Sequence, residues 1–506
     1  LLDEKRETCY TVYDVTKEED SMRQKHTSGC VVILILLLGL CGCKKAEERT
    51  DRLTSMWKEE QTETISATEE AAFTSDTEEM LKQTALEETR QIKEAEKMFE
   101  SILESCTKEF IGYHVLDDMF LRWFTTEYGT EYIRKIADEV ASGRQDPDIW
   151  HELTGNTIHV LWLLYCKQTG VQQYQLENVR WQTCASPEKT TLAFTGDINF
   201  AEGYVTTRHM DRCENGIYDC FSEDLLKRMN DADVMMINNE FTYSTRGEAL
   251  QGKAYTFRAD PSRAELLHVF GTDIVSLANN HVYDFGPDAL LDTMDALKKE
   301  EIPYVGAGAN IEEASKPYYF VCNGRKIAIV AATQIERSLN YTKEATEHEP
   351  GVLKTLQADK FVKVIQKAKK NSDIVIAVVH WGTEGDSHYG RDQYDLAQEF
   401  VKAGADAIIG GHTHCLQGFD MMEGVPVLYS LGNFWFSSST LDTGLAEVTI
   451  DQNGELTLGF VPCIQKNLRT DLVTEESERQ RIYDFMQKHS ASHVLVGEDG
   501  ILRQEN

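Results

Sequence analysis

Between about residues 190 and 465, apolar runs of strand length recur and alternate with helical patterns, which restricts this part of the chain to an α/β fold. The runs fall at residues 191–195, 234–237, 274–277, 327–331, 374–379, 407–409 and 427–430. Helical periodicity separates them, most clearly over 288–299, 356–370 and 393–403. The first of these helices opens at Pro287, where a missing N–H costs nothing, and lines up Leu290, Leu291, Met294 and Leu297 on one face. After Gly444 the pattern changes to strict alternation over 445–450, a turn at 451–454, and alternation again over 456–460. That predicts a closing antiparallel hairpin.

Five of the strand runs are followed at once by side chains that ligate metals. Asp197 ends the first, and Glu240 follows Asn238 and Asn239 at the second. Asn280 and His281 follow the third, His380 and then Glu384 end another, and Gly410-Gly-His412-Thr-His414 ends the last. In an α/β fold such endings converge on one rim of a sheet, where ligands bind. Of 14 histidines, four stand at these points: His281, His380, His412 and His414. Two divalent cations about 4 Å apart need a bridging carboxylate and several imidazoles, and such a pair clamps a phosphoryl group and activates water for in-line attack. Carboxylate and neutral imidazole together suit zinc, manganese or iron, and Asn280 adds a neutral oxygen. Any single ending is equally well a loop with chance histidines or an Asn-His cap on the next helix; five in order are not.

The flanking regions set the context. A formal net charge of -33 over 506 residues excludes a general nucleic-acid binder, though not an anionic substrate held through a metal. Residues 1–43 contain a positive stretch from Met22 to His26, an apolar core from Val31 to Leu40, and Leu40-Cys-Gly-Cys43. That is the layout of a secretory leader, short for a membrane span. Its last four residues are similar to a bacterial lipobox, which makes Cys43 a lipidation site; an uncleaved N-terminal anchor is the alternative. Either places the body on the extracytoplasmic face of the cell membrane. Residues 44–90 read as an acidic, solvated tether. Residues 91–189 read as a helical region, with Ile133, Ile136 and Val140, then Trp150, Ile158, Leu161 and Trp162, forming apolar faces. Its His151 and His159 are isolated and read as structural. Residues 466–506 read as a helical tail, with a polar, peripheral helix near 474–489. Among 12 scattered cysteines, Cys213 and Cys220 are spaced to pair across a loop.

The chain resembles the capsule-synthesis protein CapA family across about residues 190–465. The resemblance rests on Gly196-Asp197, Asn238-Asn-Glu240, Leu277-Ala-Asn-Asn-His281, His380-Trp-Gly-Thr-Glu384, Gly411-His-Thr-His414 and Ser430-Leu-Gly-Asn-Phe434, in order. Lys253-Ala-Tyr-Thr-Phe-Arg258, Asp284-Phe-Gly286 and Gly306-Ala-Gly308 match as well. That family is linked to poly-γ-glutamate capsule production, and its fold is related to the calcineurin-like metallophosphoesterases. The resemblance therefore implies an α/β, metallo-dependent phosphatase-like layered sheet/helix domain, preceded by the small helical region.

It further implies that Asp197, Glu240, Asn280, His281, His380, His412 and His414 surround one or two divalent ions. His281, Asn280 and Glu384 become candidates for catalysis, with His281 or Glu384 as the proton donor. Lys253 and Arg258 would receive phosphate or a polymer carboxylate; a solvated surface pair is the other reading. Trp435 and Phe436 belong either to the site wall or to the core. Two departures from the calcineurin-like pattern stand out: Asn199 where a histidine is usual, and Glu240 where an aspartate is usual. One metal position thereby loses an imidazole. Two functions stay open: hydrolysis of a phosphoester, or non-catalytic binding of an anionic polymer or of a polyglutamate synthase complex.

Overall fold

The computed structural model describes residues 118–141, 148–335 and 341–505. The chain divides into units Leu1–Gln91 and Ile92–Asn506. In the first, only Gln83 and Arg90 are described, both helical and exposed. The leader, Cys43 and the rest of the tether lie outside the described residues. No helix among the described residues is long and apolar enough to cross a membrane.

In the second unit the strand runs form two large sheets rather than one. One is ordered Val179–Trp181, Tyr318–Cys322, Arg325–Thr333, Ile374–His380, Ala407–Gly411, Val425–Leu431, Leu416–Met422. Its centre is parallel, with Ile327 opposite Ile374, Ile376 opposite Ala407, and Ile408 opposite Val427. The other runs Arg469–Leu472, Leu456–Lys466, Leu441–Asp451, Lys189–Ile198, Val234–Asn239, Ile274–Ser276, Tyr304–Val305. Its hairpin strands are antiparallel as expected, and its last four strands are parallel. The sheets draw strands from both sides of the 190–465 span.

Alternation along the strands explains why two sheets form. Leu192, Phe194, Val234, Met236 and Ile274 on one sheet meet Ile327, Ile329, Ile376, Ile409 and Leu428 on the other in a single core. The residues between them face outward. Ala193, Met235, Ile237 and Val275 receive Leu290, Met294 and Leu297 of the helix Gly286–Lys299. Val330, Val375 and Ala377 receive Phe361 and Ile365 of Ala358–Lys369, and Phe400 of Arg391–Ala403. Both faces of both sheets are thus covered, giving a helix–sheet–sheet–helix sandwich; near-continuous apolar strands are what that burial requires.

The helical region packs on itself and on the sandwich. Phe120, Phe124, Ile133, Ile136, Trp150, Leu161 and Trp162 close one small core, while Val160 and Leu163 meet Val321 on the sheet. Its polar anchor is Asp373, which accepts from Thr157 Oγ1 at 2.7 Å and from the Lys326 N–H at 2.6 Å, with His159 Nδ1 at 2.8 Å. His151 Nε2 lies 2.8 Å from Asn323 O. Both histidines are structural.

Two expectations are corrected. The helix Glu476–His489 is not peripheral, because Ile482, Tyr483 and Met486 enter the core between the sheets. A hairpin, Val494–Val496 with Leu502–Gln504, follows it. Cys213 and Cys220 are free thiols rather than a disulfide.

Asp373→Ala is expected to lower stability by about 1–3 kcal/mol, because buried donors lose their acceptor. Burial works against the Asp373 carboxylate, but His159, Thr157 and the Lys326 N–H outweigh it and lower its folded pKa. Its contribution is therefore complete above the unfolded value, roughly 3.9, and is lost as pH falls through the lower folded value. Urea unfolding followed by tryptophan fluorescence, at neutral and acid pH, checks both points. Equal midpoints for the variant and wild type at neutral pH would refute them.

Candidate metal centre

The parallel strands of both sheets point their carboxyl ends the same way, and the ligand residues sit there. Asp197 lies in Lys189–Ile198, Glu240 follows Val234–Asn239, and Asn280 and His281 follow Ile274–Ser276. His380 closes Ile374–His380 on the other sheet, and His412 and His414 follow Ala407–Gly411. The rim expected from one sheet is thus shared by two, and the site straddles the seam between them. Close backbone contact holds that seam. Asp197 N donates to Gly432 O at 2.9 Å, and a Cβ on Gly196 would lie 1.9 Å from the same oxygen. Within one sheet, a Cβ on Gly410 would likewise lie 2.0 Å from Tyr429 O of the neighbouring strand. Only glycine fits at either position.

Glu240 is the centre of the arrangement. It is fully buried, and neither carboxylate oxygen has a hydrogen-bond partner. Ligand atoms of Glu240, His380 and His412 lie within 4.8 Å of one another, and so do those of Asp197, Glu240 and His414. Glu240 therefore belongs to two ligand clusters at once. In the first, His380 Nε2 lies 2.8 Å from Asn280 Oδ1, 3.1 Å from His412 Nδ1 and 3.5 Å from Glu240 Oε1. In the second, His414 Nδ1 lies 3.4 Å from Asp197 Oδ2, itself a buried atom without a hydrogen-bond partner. Ligands about 2.1 Å from a common ion are separated by about these distances. Buried oxygens without donors, facing imidazoles, are the chemistry of a divalent cation site, and the residues fit one.

Backbone geometry divides the histidines between the clusters. His412 and His414 have φ of 97° and 59°, conformations that L-residues rarely adopt. Each costs about 1–3 kcal/mol and persists only where the surroundings enforce it. Thr413 between them donates to Cys415 O and bonds Ser430 Oγ, both at 2.8 Å.

Without a cation the charges settle as follows. Burial, with Asp197 nearby, pushes Glu240 well above the ordinary carboxyl range. Burial also lowers His380 to about 3 despite Asp197. Burial opposes the charged forms of Asp197 and His414, but their close pairing across 3.4 Å wins, so Asp197 is lowered and His414 raised. Burial lowers His281 even though Asp284 opposes this.

His281 sits beside the clusters. Its Nδ1 is 2.7 Å from Asp284 Oδ2, and its Nε2 is 4.0 Å from Glu240 Oε1. Asp284 is fully buried and also accepts from Phe257 N at 2.7 Å and Lys253 Nζ at 2.6 Å. Lys253 therefore differs from its expected place. It is buried and committed to Asp284 and to the Asn280 carbonyl, supporting the Asn-His loop rather than facing solvent. Arg258 donates to Arg246 O and Gly247 O, both at 3.1 Å, and stacks on the Phe285 ring at 4.2 Å. Glu384 is exposed on the loop after His380, and its charge helps raise Glu240 and His414. Asn199 turns its side-chain oxygen to Ala201 N at 2.7 Å. Trp435 is core, donating to Leu468 O, whereas Phe436 packs 5.0 Å from His414 and walls the site.

Three positioning residues received no role from the sequence: Asp284, Asn238 and Asn433. Asn238 Nδ2 donates to Asp197 Oδ1 at 2.7 Å, and Asn433 Oδ1 lies 2.7 Å from His414 Nδ1. All three lie in the matching motifs, and their short amide and carboxylate side chains beside ligand residues were the available signal.

Residues 191–438 match the family model described as bacterial capsule synthesis protein PGA_cap. The chain is 34% identical to the capsule biosynthesis protein CapA of Bacillus anthracis over 44% of its own length and 56% of that protein. It is 30% identical to the PGA biosynthesis protein CapA of Bacillus subtilis over 53% of its length and 70% of that protein. A probable polyglutamine synthesis accessory protein of Mycobacterium tuberculosis is 29% identical over 40% of the chain and 55% of that protein. Among solved structures, the 5'-nucleotidase of Candida albicans aligns at a TM-score of 0.31 and 11% identity, over 56% of this chain and 52% of that one. A likeness that slight bears on neither fold nor chemistry.

Manganese titration should find Glu240→Gln the most damaging single change, since one carboxylate serves both clusters. His412→Ala and His414→Ala should each remove binding at one cluster. Affinity should rise with pH, because Glu240 and His414 hold protons to higher pH than usual and a cation must displace them. Calorimetric titration at acid and neutral pH measures both effects. Full manganese binding by Glu240→Gln would exclude the shared-carboxylate arrangement.

Proposed function

Since the chain belongs to the bacterial capsule-synthesis PGA_cap (CapA) family, we propose that it serves capsule or poly-γ-glutamate biosynthesis as a metal-dependent phosphoester hydrolase. The observation that carries this reading is Glu240, a buried carboxylate with both oxygens unpartnered, common to two ligand clusters and beside the His281–Asp284 pair. Bound divalent ions, of manganese, zinc or iron, would supply Lewis acidity and lower the pKa of water.

The residues themselves do the following. Asp197, Glu240 and His414 hold one position; Glu240, Asn280, His380 and His412 hold the other. Asn280 is fixed for this by Lys253 and Thr342, both of which bond its carbonyl. With Nδ1 committed to Asp284, Nε2 is the nitrogen free to take up a proton from water and pass it to a leaving alkoxide. Burial makes the His281 imidazolium a stronger acid than usual and so a ready donor. Phe257, 4.5 Å from the His281 ring, and Phe436 exclude water from that side. By the leader layout of residues 1–43, the work is done outside the cytoplasmic membrane, from a lipid or N-terminal anchor.

A non-catalytic polymer-binding role, or one as partner of a polyglutamate synthase, is the second reading, and Asn199 favours it. Its side chain turns away to Ala201 in place of an imidazole ligand. Against it stands the charge of -33, which repels a polyanion unless metals mediate contact.

With added manganese, the purified protein should hydrolyse a generic phosphodiester or monoester. His281→Ala should lower kcat about 10²–10⁴-fold with little change in bound metal, and Asp284→Asn should lower it less. Absence of turnover in fully metal-loaded wild type, with polyglutamate binding retained, would overturn the hydrolase in favour of the binder.

A further inference from the structure

A second cluster of ligating side chains lies in a different part of the sandwich. His209 belongs to the helix Val205–Met210, Cys213 follows it one turn later, and Cys220 closes the short helical segment Gly216–Cys220. The ligand atoms of His209, Cys213 and Cys220 all lie within 4.8 Å of one another. Cys213 Sγ is 3.6 Å from His209 Nε2. Zinc bonds of about 2.3 Å to sulfur and about 2.0 Å to nitrogen, at a tetrahedral angle, separate the two ligand atoms by about 3.6 Å. The loop between the thiols is braced without them: Asn215 N and Nδ2 each donate to Asp219 at 3.0 Å.

The surroundings suit a cation. Cys220 is fully buried, whereas Cys213 is half-buried and lines a surface cleft. Glu214, Asp260 and Glu265 also line that cleft, as do Glu202 and Asp211, which pair with Arg263, the one cation among its described lining residues. An ion thus has an acidic entrance, two sulfur ligands and one nitrogen ligand within, and a fourth direction open to water. Two thiols and an imidazole select a soft or borderline ion, in contrast to the oxygen-rich centre around Glu240.

We propose that His209, Cys213 and Cys220 form a zinc site with its fourth position open to the cleft. On binding, the two thiols release their protons to solvent and ligate as thiolates. The site tethers the stretch that leaves Asp197. Tyr204, just before the helix of His209, packs 5.0 Å from Phe257 and 6.0 Å from Phe436, the rings that flank His281 and His414. Zinc here would stiffen the wall of the other centre without touching it.

Cobalt substitution tests the proposal on the full chain, reduced and stripped of metal. Thiolate-to-cobalt charge transfer absorbs in the near ultraviolet, and an oxygen and imidazole centre cannot produce it. Wild type should develop this band on adding cobalt, and zinc should abolish it. Cys213→Ser, at a half-buried position, should lose most of the band, as should His209→Ala. Both should keep the manganese affinity of the Glu240 centre, which also shows that they fold. No band in wild type, or an undiminished band in Cys213→Ser, overturns the assignment. So does a Cys213–Cys220 disulfide, found by mass spectrometry, that re-forms after reduction in the presence of zinc.

Discussion

Two carboxylates, Asp197 and Glu240, are buried in one place, and the rest of the site answers their repulsion. Burying a lone anion costs several kcal/mol, so each needs a compensating charge or a proton. Asp197 is lowered by its pairing with His414, which it raises in turn, while Glu240 finds no donor and is pushed well above the ordinary carboxyl range. The fold supplies the rigidity this arrangement needs. A core of interdigitated strand residues lies directly below, and the Gly196–Gly432 contact leaves no slack at the seam. A site on mobile loops would relax by letting water reach the acids; this one does not.

Much of this was readable beforehand, and the reasons are local. Strand ends such as those at His380 and Asn280-His281 were visible because apolar runs stop abruptly at polar ligands, and the motif order carried the family. The division into two sheets was not visible, because strand runs buried on both faces read alike whichever sheet they join. Lys253 shows a second limit. A lysine among polar neighbours reads as surface, and nothing within its own segment reveals that Asp284, 31 residues on, will draw it inside. The terminal helix hides its burial for a related reason. Ile482, Tyr483 and Met486 make a narrow stripe among charged residues, too thin to announce that it plugs the main core.

In the proposed hydrolase, the His281–Asp284–Lys253 chain would join catalysis to architecture. Asp284 orders the imidazole, bonds the backbone at Phe257, and holds the lysine that in turn fixes the Asn280 carbonyl. Substitution of Lys253 would therefore disturb the proposed metal ligand Asn280 and the proposed proton donor His281 together.

In a flat strand, two residues separated by one share a face and would crowd a single ion. The left-handed backbone at His412 and His414 instead sends one imidazole to each side of Glu240. Three consecutive residues thus address both halves of the centre. Insertion or deletion of one residue there would dismantle both halves at once, while the sandwich beneath could still fold. The loop is a single point of failure for both ligand clusters.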